Sequence, residues 1–71
     1  MSDVRTITDK IDSIREQINK TEIILAESRE NLLNTHGSYS ARLLLISTEN
    51  HLEDLIRQLH DEEAKLKEAE E

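Results

Sequence analysis

The stretch NTHGSYS, Asn34 to Ser40, decides how this chain folds. It holds Gly37, the single glycine among 71 residues, and the sequence has no proline. Either one helix runs through it or the chain turns back on itself. The apolar residues on either side discriminate between the two. Towards the N-terminus Val4, Ile7, Ile11, Ile14 and Ile18 follow one another at spacings of 3, 4, 3 and 4, the a/d pattern of one stripe along a helix. One edge of that stripe continues through Leu25 and Leu32; the other becomes polar at Thr21 and Ser28. Towards the C-terminus Leu45, Leu52, Leu59 and Leu66 recur every seven residues, with Leu55 and Ala69 on a second edge otherwise filled by Thr48 and Glu62.

The two stripes do not join. Carried on from Leu32 in steps of seven, the first would pass through Tyr39, Ile46, Glu53, His60 and Lys67, one residue off the second. One residue is about 100° around a helix. The stripe therefore restarts, and the restart falls on Gly37, which can adopt the left-handed conformation that closes a helix. Ser38 or Ser40 can then cap the next one. The sequence predicts an all-α fold, an antiparallel two-helix hairpin of coiled-coil type. Its first helix covers about 2–36, Ser2 to His36, and its second about 38–70, Ser38 to Glu70, with a turn at about 36–39. Each helix would be about 48 Å long. Such a hairpin is expected to bring Ile18 near Ile56, Ile14 near Leu59, Ile7 near Leu66 and Leu32 near Leu43. Its core is expected to be Val4, Ile7, Ile11, Ile14, Ile18, Leu25, Leu32, Leu45, Leu52, Leu55, Leu59 and Leu66. A continuous rod with one skipped residue is the alternative.

Composition narrows the class. Leu, Glu, Lys, Arg, Ala and Gln dominate, which favours helix, and Tyr39 is the one aromatic residue, which disfavours a sheet. Charged residues make up 35% of the chain, a level met in disordered segments, but the regular placement of isoleucine and leucine argues for a packed seam. With no cysteine, neither a disulfide scaffold nor a thiolate metal site can form. The N-terminus MSDVRTITDK lacks the basic start and apolar core of a secretory signal. The longest apolar run, Leu43 to Ile46, is far short of the ~20 residues that span a bilayer. A cytoplasmic protein without a membrane segment is expected. Net charge is −7, with five basic and seven acidic residues in 1–35 and four and nine in 36–71. That balance repels a phosphate backbone and argues against nucleic-acid binding. A basic protein surface is the better match by charge, although acidic residues also serve simply to keep a small protein in solution.

Candidate reaction chemistry is thin. His51 with Asp54, and His60 with Glu63, are metal-ligand pairs by spacing. His51 and His60, however, are nine residues apart, on opposite sides of a helix. No histidine follows an acid by three residues, so the Glu-x-x-His element of di-iron bundles is absent. His36 suits a helix C-terminus, where positive charge is favoured. One glycine cannot build a phosphate loop. Two helices offer no enclosed place for a serine nucleophile and its base. Glu62–Glu63 and Glu70–Glu71 read as open charge runs. Glu16–Lys20, Glu53–Arg57, Asp61–Lys65 and Glu63–Lys67 read as solvated i,i+4 pairs. No enzyme activity, cofactor or metal is expected.

Association is the expectation that remains. A chain this small rarely gains more than ~3–5 kcal/mol from its own core. Ile23, Ile24, Leu33, Leu43, Leu44, Ile46 and Ile56 lie off or beside the seams, six of them between residues 23 and 46. There the apolar stripe is too wide for one partner helix. Two hairpins stacked as a dimeric four-helix bundle would cover it. So would a protein partner with an apolar or basic groove. The reading is a non-catalytic interaction module of the small chaperone, adaptor or inhibitor type, with homo-oligomerisation favoured.

Two families of helical hairpins offer partial resemblances. The stretch ENHLEDLI, Glu49 to Ile56, resembles the second helix of the sporulation aspartyl-phosphate phosphatases of bacilli in its apolar frame Leu52, Leu55, Ile56, but lacks their Ser-Gln-Glu-Leu-Asp signature. That resemblance would imply a regulator of a phosphorylated response regulator, with Glu49, Asn50 or Glu53 reaching into the partner. In length and in its glycine-containing turn the chain is similar to the small co-chaperones of type III secretion needle subunits. A structural coiled-coil component of a filament or virion is the third alternative.

Overall fold

A computed structural model describes residues 3–71. Helix α1 spans Val4–Asn34 and α2 spans Tyr39–Glu70, 31 and 32 residues, and the two pack side by side as a hairpin. Both helices are shorter at the turn than the sequence reading placed them, and the expected start at Ser2 lies outside the described residues. The Asp3 side chain caps α1, its Oδ1 accepting from the Arg5 N–H at 3.3 Å with the backbone extended.

The turn holds a second left-handed residue beside Gly37. The Gly37 N–H donates to the Leu32 carbonyl at 2.8 Å and the His36 N–H to the Leu33 carbonyl at 3.3 Å. This pair of bonds is a Schellman closure in which His36, not Gly37, takes the position just past the helix. His36 has φ 55° and Gly37 φ 75°, so two consecutive residues are left-handed and only one is glycine. Ser38, rather than Ser40, is the N-cap of α2: its Oγ accepts from the Ala41 N–H at 3.3 Å. Ser40 lies within the first turn.

The buried and half-buried positions define the seam. On α1 they are Ile7, Ile11, Ile14, Ile18, Thr21, Leu25, Ser28 and Leu32; on α2 they are Ala41, Leu45, Thr48, Leu52, Leu55, Leu59, Glu62 and Leu66. Both series alternate steps of four and three, and antiparallel matching sets Ile7 level with Leu66, Ile14 with Leu59, Ile18 with Leu55 and Leu32 with Ala41. Ile56 and Leu43, expected opposite Ile18 and Leu32, are exposed instead. Each sits one or two residues from the true seam position, which turns it off the contact. Val4, expected in the core, is 40% exposed, because the residue level with it on α2 is the exposed Ala69 at the open end.

The seam differs between its halves. In the outer half isoleucine meets leucine, except where Ile11 meets Glu62. In the turn-proximal half every level joins one leucine to a small residue: Leu52 to Thr21, Leu25 to Thr48, Leu45 to Ser28 and Leu32 to Ala41. The buried hydroxyls are satisfied inside their own helices. Thr21 donates to the Gln17 carbonyl at 2.7 Å, Ser28 to Ile24 at 2.8 Å and Thr48 to Leu44 at 2.7 Å. The rod measures 52 × 14 × 14 Å, with a radius of gyration of 16.0 Å. A globular domain of this length would have about 11 Å. One seam is therefore all the interior the fold has.

Candidate interaction surface

Two interhelical polar contacts mark the two flanks of the seam. On one, Arg15 Nη2 lies 3.6 Å from Glu63 Oε2. Counting in sevens from Arg15 along α1 reaches Glu22 and Arg29; counting back from Glu63 along α2 reaches Ile56, Glu49 and Arg42. One turn further round the same flank come Ala26 and Leu33 on α1, and Tyr39 and Ile46 on α2. On the opposite flank, Lys10 and Lys65 border a groove of about 330 Å³ with Gln17 and Gln58. Counting in sevens from these lysines reaches Ile24 and Asn31 on α1, and His51 and Leu44 on α2.

All seven off-seam residues are exposed. They are not one widened stripe. Leu33, Ile46 and Ile56 lie on the Arg15–Glu63 flank, Ile24 and Leu44 on the Lys10–Lys65 flank. Ile23 and Leu43 lie about 100° further round, on the two outer edges. Of these residues, the six near the turn are 46–77% exposed. Tyr39, which opens α2, joins them at 71%.

The groove holds charges that cancel. Glu62 is buried in the seam rather than part of an open charge run, and its Oε1 lies 3.1 Å from Lys65 Nζ and 4.0 Å from Lys10 Nζ. Two ammonium groups thus bracket one carboxylate, with Asp61 at the rim. The arrangement anchors helix to helix.

The surface ion pairs also depart from the sequence reading. Glu16–Lys20 forms at 3.4 Å. Arg57, however, pairs with Asp54 at 3.6 Å rather than with Glu53, Lys65 pairs with Glu62 rather than Asp61, and Glu63 turns to Arg15 rather than Lys67. The interhelical partner Arg15 decides the last. Asp54 and Glu63, the companions of His51 and His60 in the spaced pairs, are therefore both engaged by arginine. Among the described residues no three His, Cys, Asp or Glu side chains converge as a metal site. Glu49, Asn50 and Glu53 are exposed on successive faces of α2. No helix among the described residues is long and apolar enough to cross a membrane.

Comparison with family models, with curated proteins and with solved structures finds no match, so the functional reading rests on the chain's own geometry.

Proposed function

We propose that this chain is a non-catalytic interaction module that self-associates through the apolar side chains of its turn-proximal half, as a dimer of hairpins forming a four-helix bundle. The observation that carries the reading is the exposure of Leu33, Tyr39 and Ile46, at 54–77%, on one flank of a chain with one seam. Large apolar side chains left in water at this density mark an interaction surface. Each Leu or Ile fully buried contributes roughly 1.5–3 kcal/mol, comparable with the ~3–5 kcal/mol that a fold of this size draws from its own core. Most soluble oligomers are homo-oligomers, which favours a second copy as the partner.

Sedimentation equilibrium across the micromolar range tests the proposal. A monomer–dimer equilibrium is expected, shifted to monomer by Leu33→Glu with Ile46→Glu while helicity persists. A concentration-independent monomer for the unaltered chain would overturn it.

A further inference from the structure

The Arg15–Glu63 flank carries a charge order as well as apolar residues. Arg29 and Arg42 lie about 10 Å from the turn along the rod axis, and Glu22 and Glu49 about 20 Å from it. All four are exposed, and none forms an ion pair within the hairpin among the described residues. Arg29 and Glu49 stand in the same heptad relation as Arg15 and Glu63, yet they are not joined. A basic band and an acidic band therefore cross the flank side by side, with Ala26 and Ile46 between them.

Such a pattern is complementary to itself in one orientation. Resting on the self-association proposed above, we infer that the partner on this flank is a second copy of the chain, antiparallel and staggered, with the turn-proximal halves overlapped by about 30 Å. A two-fold axis between the bands stacks each helix on its own copy. Arg29 then faces Glu22 of the second copy, and Arg42 faces its Glu49. Ala26 meets Ala26 and Ile46 meets Ile46 at the axis, while Tyr39 lies about one turn from the level of Ile56. The arrangement is isologous, one patch serving both sides. With both turns at the same end, Arg29 would lie over Arg42 and Glu22 over Glu49. The C-terminal segments, which carry most of the −7 net charge, would also run within a Debye length of each other. The staggered arrangement sends those segments to opposite ends.

The chain has no native cysteine, so single labels are unambiguous. Spin labels on Glu68→Cys are expected to be about 65 Å apart in the dimer, whereas turns at one end would bring them within about 25 Å. Ala26→Cys is expected to oxidise readily to a disulfide-linked dimer, since its two copies meet at the axis. Arg29→Glu with Arg42→Glu should weaken the dimer roughly tenfold, and adding Glu22→Arg with Glu49→Arg should restore it. Circular dichroism confirms that each variant folds, and the label distances do not depend on the charge variants. A dimer with labels close together, or one indifferent to the charge swap, overturns the staggered geometry and leaves self-association standing. A monomeric unaltered chain overturns both.

Discussion

Ser38 Oγ donates to Thr35 Oγ1 at 3.3 Å, linking the N-cap of α2 to the C-cap of α1. The link is one step in a relay. The Ala41 N–H donates to Ser38 Oγ, Ser38 donates to Thr35, and Thr35 Oγ1 donates to the Asn31 carbonyl at 2.8 Å. The Ala41 N–H, left unpaired at the start of α2, is thereby satisfied, and the two caps are tied together across the turn. Ser38→Ala removes the cap and the bridge together. It is expected to lower stability by about 1 kcal/mol, read as a lower urea midpoint with an unchanged slope. An unchanged midpoint would show that the turn is held by its backbone bonds alone.

The two left-handed residues at the turn should respond in opposite senses. An L side chain in that region costs about 1–2 kcal/mol, and His36 bears this cost at φ 55°. His36→Gly relieves it, partly offset by greater freedom in the unfolded chain, for a net gain of about 0.5–1 kcal/mol. Gly37→Ala imposes the same strain at φ 75°, although nothing lies within 4 Å of the added carbon, and should cost about 1 kcal/mol. Thermal melts at one fixed protein concentration compare the three chains. Destabilisation by His36→Gly would mean that the imidazole makes a contribution other than conformation.

Neighbouring positions on α2 separate fold from surface. Leu55 is 2% exposed, level with Ile18 at mid-rod, while Ile56 is 39% exposed on the flank. Leu55→Ala should cost about 2–5 kcal/mol and unfold most of a hairpin this small. Ile56→Ala should leave the helical signal of dilute protein nearly unchanged and act on association. Equal losses of helicity at low concentration would show that the seam had been misplaced by one residue.

The polar levels near the turn offer a gain. Thr48 is buried between Leu45 and Leu52 on the seam, and its hydroxyl is spent on its own helix. Thr48→Val replaces that hydroxyl with a methyl group at nearly constant volume. An increase of about 1 kcal/mol in the free energy of unfolding is expected. A loss would indicate that the back-bonded hydroxyl sets a bend the seam requires.

How legible all this was depends on the range of the interaction. The a/d spacing from Ile7 to Ile18 and the seven-residue recurrence from Leu45 to Leu66 report a local period, so the helices and their reversal could be read directly. Pairing across the hairpin depends on the length of the turn, and a register shift of one or two residues separates Ile56 from Leu55 and Leu43 from Ala41. His36 reads as a helix C-terminal residue by charge, but its left-handed backbone is masked by the adjacent glycine, the natural carrier of that conformation. The off-seam residues were visible as a surplus. Their division between two flanks depends on the phase set by Arg15–Glu63 and Lys10–Glu62, contacts between residues far apart in the chain.

Glu62 falls on the seam by spacing yet sits in a run of acids, and it gives the sharpest test of how the seam is specified. A glutamate in a run of acids looks solvated, and its burial depends on Lys10, which lies on the other helix. Its side chain is 11% exposed, while the two lysines are 62% and 55% exposed, so the carboxylate loses most of its water and the ammonium groups keep theirs. A desolvated charge of this kind seldom repays its own burial against an apolar side chain of similar size. Glu62→Leu would set leucine against Ile11 and complete the apolar outer seam. A gain of about 1–2 kcal/mol is expected in urea titrations, with Lys10 and Lys65 returning to solvent at little cost. The carboxylate would then serve register rather than stability: it admits the level where lysines flank it and disfavours a slipped pairing that buries it alone. Hydrogen exchange should accordingly show the leucine variant sampling a shifted register more often than the unaltered chain. A variant that is less stable, or that holds one register as firmly as the parent, would remove that role and leave Glu62 as an ordinary ion-pair partner.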